Sequence, residues 1–136
     1  MKVNLKNILG LAALGTTLLT NFVPAWAGYQ FRPGVAIESI NAGGFAVSGS
    51  MVGARYSADT KQNIGCTAFA LPTYTWTSCF ATNAAGASLV CGSPDPRWAE
   101  AVQAMTDSSF IYFEMRNANG GDCSLIKISN DSHLLR

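Results

Sequence analysis

Few residues in this chain have chemistry to offer. The one histidine, His133, lies three residues from the C-terminus in the run Asp131-Ser132-His133. A Ser-His-Asp relay needs its imidazole held by neighbours, and chain ends fray. This triplet therefore reads as an exposed tail. Eight carboxylates, Glu38, Asp59, Asp95, Glu100, Asp107, Glu114, Asp122 and Asp131, are the raw material for a two-carboxylate hydrolase. No pair of them is marked by spacing. Asp95 reads as a helix cap, Asp107 and Asp122 as turn residues, and Glu114 as the polar side of a strand. Asn117-x-Asn119-x-Gly121-Asp122 has only one carboxylate and no later bidentate Glu, so it falls short of a calcium loop. Gly43-Gly44 lacks the lysine and the strand-to-helix setting of a phosphate cradle. The expectation is a protein that is not an enzyme and carries neither metal nor cofactor.

The cysteines carry the firmest chemistry. Cys66, Cys79, Cys91 and Cys123 are separated by 13, 12 and 32 residues, with no Cys-x-x-Cys pair. That spacing suits neither a zinc knuckle nor a dithiol redox centre. An even number in a small exported domain predicts two disulfides. A hairpin turning at Leu71-Pro72-Thr73 sets Cys66 opposite Cys79, Thr67 opposite Ser78 and Phe69 opposite Trp76. The next turn, Asn83 to Ala87, sets Cys79 opposite Cys91 and Phe80 opposite Val90. Cross-strand neighbours lie within disulfide reach. Either Cys66–Cys79 with Cys91–Cys123, or Cys79–Cys91 with Cys66–Cys123, satisfies this register, and Cys66–Cys91 is disfavoured. The cysteines then share one side of the meander. Phe69, Trp76 and Phe80 share the other, which is expected to be the core side.

Binding chemistry is concentrated in two places. The stretch Gly53 to Gln62 offers Arg55, Tyr56, Asp59 and Lys61 on one polar loop, and Arg and Tyr are favoured where surfaces meet partners. The competing reading is an Arg55–Asp59 contact that only organises a turn. Tyr74, Trp76 and Tyr112, with Tyr56, are candidates for stacking on sugar rings, although Trp76 belongs to the aromatic face expected to line the core. Gly53-Ala54-Arg55-Tyr56 resembles a short stretch of the bacterial inhibitors of C-type lysozyme, which are small exported β-barrels with a disulfide. The resemblance spans four residues. Val52 stands where those inhibitors carry serine, no Trp-x-Lys-Gly segment follows, and the helix expected from Pro96 is foreign to them. What the likeness implies is an inhibitory loop around Arg55.

These residues must be positioned by a mainly β domain. Gly28 to Gly44 reads as an irregular lead-in with a short edge strand near Val35-Ala36-Ile37, and Phe45 to Ser57 as extended, with Gly49 and Gly53 either weakening it or marking bulges. Phe110 to Met115 and Cys123 to Ser129 form a last hairpin. A turn at Asn119-Gly120 puts Phe113 opposite Ile126 and Ile111 opposite Ile128. One helix is expected, capped by Asp95 with Pro96 in its first turn, and Trp98, Ala101, Val102 and Met105 follow at helical spacing. The fold class is a small antiparallel β-sandwich or open barrel of about six strands with one short helix and two disulfides.

Residues 1–27 read as a signal peptide. Lys2 and Lys6 precede an apolar run from Ile8 to Leu19, and Pro24 and Ala25-Trp26-Ala27 close it in the manner of a cleavage site. That run is too short to span a bilayer. The remaining residues, 28–136, form a single disulfide-stabilised domain in which seven basic residues face eight acidic ones. This balance gives no electrostatic reason to expect nucleic acid. The whole predicts a small secreted, periplasmic or extracellular, non-catalytic binding module. An extracellular glycan or a protein is the expected partner, in an adhesion or carbohydrate-binding role. The alternatives are an inhibitor of a hydrolase such as lysozyme or a protease, and a structural surface component.

Overall fold

The computed structural model describes residues 31–41, 43–117, 121–131 and 133. The expected leader and the Asn119-Gly120 turn lie outside these residues. Two antiparallel sheets make the domain. The first runs in the order β1 (Ala36–Ile40), β2 (Gly44–Ser50), β6 (Phe110–Met115) and β7 (Cys123–Ser129). The second is the meander β3 (Asn63–Ala70), β4 (Thr75–Thr82) and β5 (Ser88–Ser93). Two helices complete the described residues, α1 (Met51–Arg55) and α2 (Pro96–Gln103). The sheets touch where Gly92 bridges Asp122, and Gly92 N donates to Gly121 O at 2.7 Å. The arrangement is a sandwich and not a closed barrel.

Seven strands occur among the described residues where about six were expected, because the lead-in supplies a full edge strand, Ala36–Ile40, on β2. The last hairpin has the expected register, Phe113 opposite Ile126 and Ile111 opposite Ile128. A bulge between Glu114 and Met115 then sets Met115 opposite Cys123. The core lies between the sheets. Val47, Ile111, Phe113 and Met115 from one side meet Ile64, Cys79, Ala81 and Cys91 from the other.

Both disulfides lie within this core, Cys66–Cys79 along the β3–β4 pair and Cys91–Cys123 from one sheet to the other. This is the first of the two connectivities that the register allows. Cys79 stands opposite both Cys66 and Cys91, as the hairpin turns imply.

The stretch Phe45 to Ser57 is not extended throughout. It becomes helical at Met51. Ser50 caps the turn, its hydroxyl accepting from Gly53 N at 2.7 Å. A helix of five residues containing Val52 and Gly53 has little intrinsic stability. Burial of Val52 and Ala54 holds it in place. Gly53, expected to weaken a strand or mark a bulge, instead lies within this helix against the backbone of Arg32 and Pro33. At α2 the expected start is found. Asp95 Oδ1 accepts from Arg97 N at 3.0 Å, and Pro96 opens the helix. Its most buried residue is Ala99, while Trp98 is only half-buried.

Among the described residues, one buried side-chain polar atom has no partner. Thr77 is 1% exposed and its Oγ1 meets no hydrogen-bonding group. A buried, unpaired hydroxyl costs free energy that a methyl of the same shape does not. Thr77→Val is expected to raise stability by about 1 kcal/mol, read as a higher denaturant midpoint at unchanged m-value. A lower midpoint would show that the hydroxyl is bonded after all.

Candidate functional site

Alternation along a strand gives each sheet two faces. On β4, Thr75, Thr77, Cys79 and Ala81 point to the core, so Trp76, Ser78, Phe80 and Thr82 point away from it. The pairing register extends this outer face across three strands. Phe69 stands opposite Trp76. Ser78 lies between Thr67 and Gly92, Phe80 between Gly65 and Val90, and Thr82 between Asn63 and Ser88. The outcome is a row of aromatics, a row of hydroxyls, a second apolar row and a second polar row, each about 7 Å from the next.

This reverses the expectation that Phe69, Trp76 and Phe80 line the core. Phe69 is 44% exposed, Phe80 39% and Val90 59%. The physical reason is the second disulfide. Cys91 must reach Cys123 in the opposite sheet. The cysteine side of the meander therefore faces inward and the aromatic side faces outward, with Phe69, Phe80 and Val90 exposed and Trp76 half-buried. Apolar rows left exposed in this way, with a row of hydroxyls between them, suit an interaction surface.

Two glycines shape the patch. A methyl group on Gly92 would lie 2.5 Å from Trp76 Cζ2 and 2.8 Å from its Nε1. One on Gly65 would lie 3.0 Å from Phe80 Cζ. The Trp76 ring thus leans onto bare backbone on the β5 side and the Phe80 ring onto bare backbone on the β3 side. Among the described residues no hydrogen bond engages the Trp76 indole N–H or the hydroxyls of Thr67 and Ser78. The Thr82 and Ser88 hydroxyls bond one another at 2.8 Å.

The residues singled out from sequence fall into three separate places. Arg55 ends α1, and Tyr56, its C-cap, is 60% exposed. Asp59 and Lys61 follow in the same loop. Asp59 organises that loop, but its partners are Gln62 and Lys61 and not the expected Arg55. Its carboxylate accepts from Lys61 N and Gln62 N, each at 2.9 Å, and from Gln62 Nε2. Gln62 Oε1 in turn accepts from Val35 N at 2.6 Å, tying the loop to the lead-in. Tyr74 is 53% exposed in the turn that joins β3 to β4, two residues before Trp76. Tyr112 stands on the outer face of the other sheet, opposite Lys127, and its hydroxyl donates to Glu114. That bond, and then burial, push the Tyr112 hydroxyl pKa up. The structure does not bring these three groups together.

The hydrogen bond from the Gln62 side chain, followed by those from the Lys61 and Gln62 backbones, holds the Asp59 pKa down from 3.8 to about 2. A carboxyl depressed on folding stabilises the folded state above its ordinary pKa, and that contribution is lost as pH falls from about 4 to about 2. An NMR titration of the Asp59 carboxyl carbon is expected to show its midpoint near 2. In Asp59→Asn, this acid-sensitive part of the stability should be missing. A midpoint near 3.8 would mean the loop is not held as described.

His133 is exposed, as expected of a tail, yet its carbonyl accepts from Phe31 N at 2.9 Å. No cluster of three or more His, Cys, Asp or Glu side chains with metal-binding geometry occurs among the described residues. No described helix is long and apolar enough to cross a membrane. Comparison of the chain with protein-family models, with curated proteins and with solved structures finds no match.

Proposed function

We propose that this is an exported, non-catalytic binding domain and that it holds a carbohydrate on the outer face of β3, β4 and β5. The observation that carries the reading is the alternation of ring and hydroxyl rows on an exposed sheet face. A sugar ring has a C–H face that settles on the negative face of an aromatic ring, and a rim of hydroxyls that needs donors and acceptors close by. Trp76 and Phe80 supply the first, and Thr67, Ser78 and the indole N–H supply the second. Export is supported by the signal-like residues 1–27 and by the oxidised state of all four described cysteines.

A glycan array is the first test. Trp76→Ala and Phe80→Ala are each expected to weaken the strongest signals at least tenfold, with circular dichroism unchanged. Full binding by both variants, or an array without signal, would remove the reading.

The loop supports a second reading, an inhibitor of a secreted hydrolase. Asp59 fixes the backbone through exposed Lys61 to Gln62, and Ser57 Oγ donates to Asp59 O on the side toward exposed Arg55; a pre-organised loop loses little entropy on docking. Inhibition of a lysozyme or protease panel that disappears in Arg55→Ala would favour it over carbohydrate binding.

A further inference from the structure

Resting on the carbohydrate reading, we infer that the ligand is a neutral polysaccharide chain laid across β4, and neither a single terminal sugar nor a charged glycan. Shape is the first reason. Sites for small ligands are concave and bury most of the ligand. Here the ligand meets an open sheet face, so each sugar is contacted from one side only. Useful affinity then requires several sugars engaged together on one chain, each added contact being made at high effective concentration.

Spacing is the second reason. Trp76 and Phe80 are four residues apart on one strand, about 13 Å. They lean to opposite sides of β4, over Gly92 and Gly65 respectively. A single pyranose is too small to reach both rings. An oligosaccharide running along or obliquely across β4 meets Trp76, passes the Thr67–Ser78 hydroxyls and meets Phe80.

Charge is the third. The outward strand positions are Asn63, Gly65, Thr67, Phe69, Trp76, Ser78, Phe80, Thr82, Ser88, Val90 and Gly92, and none is charged. A carboxylated or sulfated polymer would lose part of its hydration on this face with no basic group to replace it. Lys61 reaches only the β4–β5 turn, at Gly86, beyond the last row. A neutral polymer meets no such penalty.

The glycines provide a test that removes no ring. Gly92→Ala should lift the Trp76 ring off the sheet, since its methyl would lie 2.5 Å from Trp76 Cζ2. The experiment is calorimetric titration of the oxidised protein with cello- and chito-oligosaccharides of increasing length, and retention on cellulose, chitin and polygalacturonate. Affinity should rise at least tenfold from the monosaccharide to the hexasaccharide in one of the two series. Gly92→Ala should lose at least tenfold on the hexasaccharide, and polygalacturonate should not be retained. A monosaccharide that competes as well as the hexasaccharide, or preferential retention on polygalacturonate, would overturn the inference and leave carbohydrate binding intact. Failure of every glycan here and on the array would take both down. So would a dimer in sedimentation that Trp76→Ala converts to monomer, because the occupant would then be a second copy of the chain.

Discussion

Replacing Cys91 and Cys123 together by alanine is expected to cost about 3.7 kcal/mol. This is the loop-closure value for a separation of 32 residues. The same treatment of Cys66 and Cys79, separated by 13 residues, is expected to cost about 2.9 kcal/mol. The ordering rests on more than loop length. Cys66–Cys79 joins two strands already paired along eight positions. Cys91–Cys123 joins the two sheets, which otherwise touch at this edge through the Gly92–Asp122 bridge. Domains of this size are stable by about 5–15 kcal/mol, so either loss is a large fraction of the whole. Equilibrium denaturation of the two double variants measures both values. A Cys91/Cys123 variant no less stable than the Cys66/Cys79 one would show that the inter-sheet bridge is not what joins the layers.

The second large effect is expected at Gly53. An alanine methyl there would lie 2.1 Å from Pro33 O, 2.7 Å from Ser50 Oγ and 2.8 Å from Arg32 O. Two of these are backbone atoms with little room to retreat. Pro33 O already accepts from Ser50 N at 3.1 Å and from Ser50 Oγ at 3.2 Å. Moving it strips the cap from α1 and loosens the lead-in that brings Val35 into the core. Gly53→Ala should therefore cost about 3 kcal/mol, at the upper end of overpacking. Unchanged stability would mean that Arg32 and Pro33 do not lie against α1. This glycine also bears on the Gly53-Ala54-Arg55-Tyr56 stretch. Its place there has a packing cause within this fold, independent of any inhibitory role for Arg55.

Much of the register was legible because it rests on short-range rules. Alternation and turn position placed Cys66 opposite Cys79, Phe80 opposite Val90 and Phe113 opposite Ile126, and Asp95 with Pro96 announced α2. What alternation cannot say is which of two apolar faces is inside. Phe69, Trp76 and Phe80 are the larger hydrophobes, so volume alone assigns them to the core. The deciding fact is long-range, namely that Cys91 bonds to a cysteine in the other sheet. Once that connectivity is chosen, the inward face follows, so the aromatic platform was recoverable from the cysteines. α1 was missed for the opposite reason. Val52 and Gly53 interrupt its helix formers and five residues are too few to show a helical period, so it forms because Val52 and Ala54 are buried, with only the Ser50 cap as a local signal. The roles of Gly65 and Gly92 depend on where rings on neighbouring strands lie, which no local pattern records.

On the proposed reading, ligand binds the outer face of the meander. Amide chemical-shift mapping during titration with chitohexaose or cellohexaose tests it residue by residue. The largest shifts are expected at Thr67, Phe69, Trp76, Ser78, Phe80 and Val90, with the Trp76 indole N–H among them. Shifts centred instead on Arg55 to Lys61, or on Tyr112 and its neighbours in the other sheet, or a spectrum that neither sugar perturbs, would contradict it.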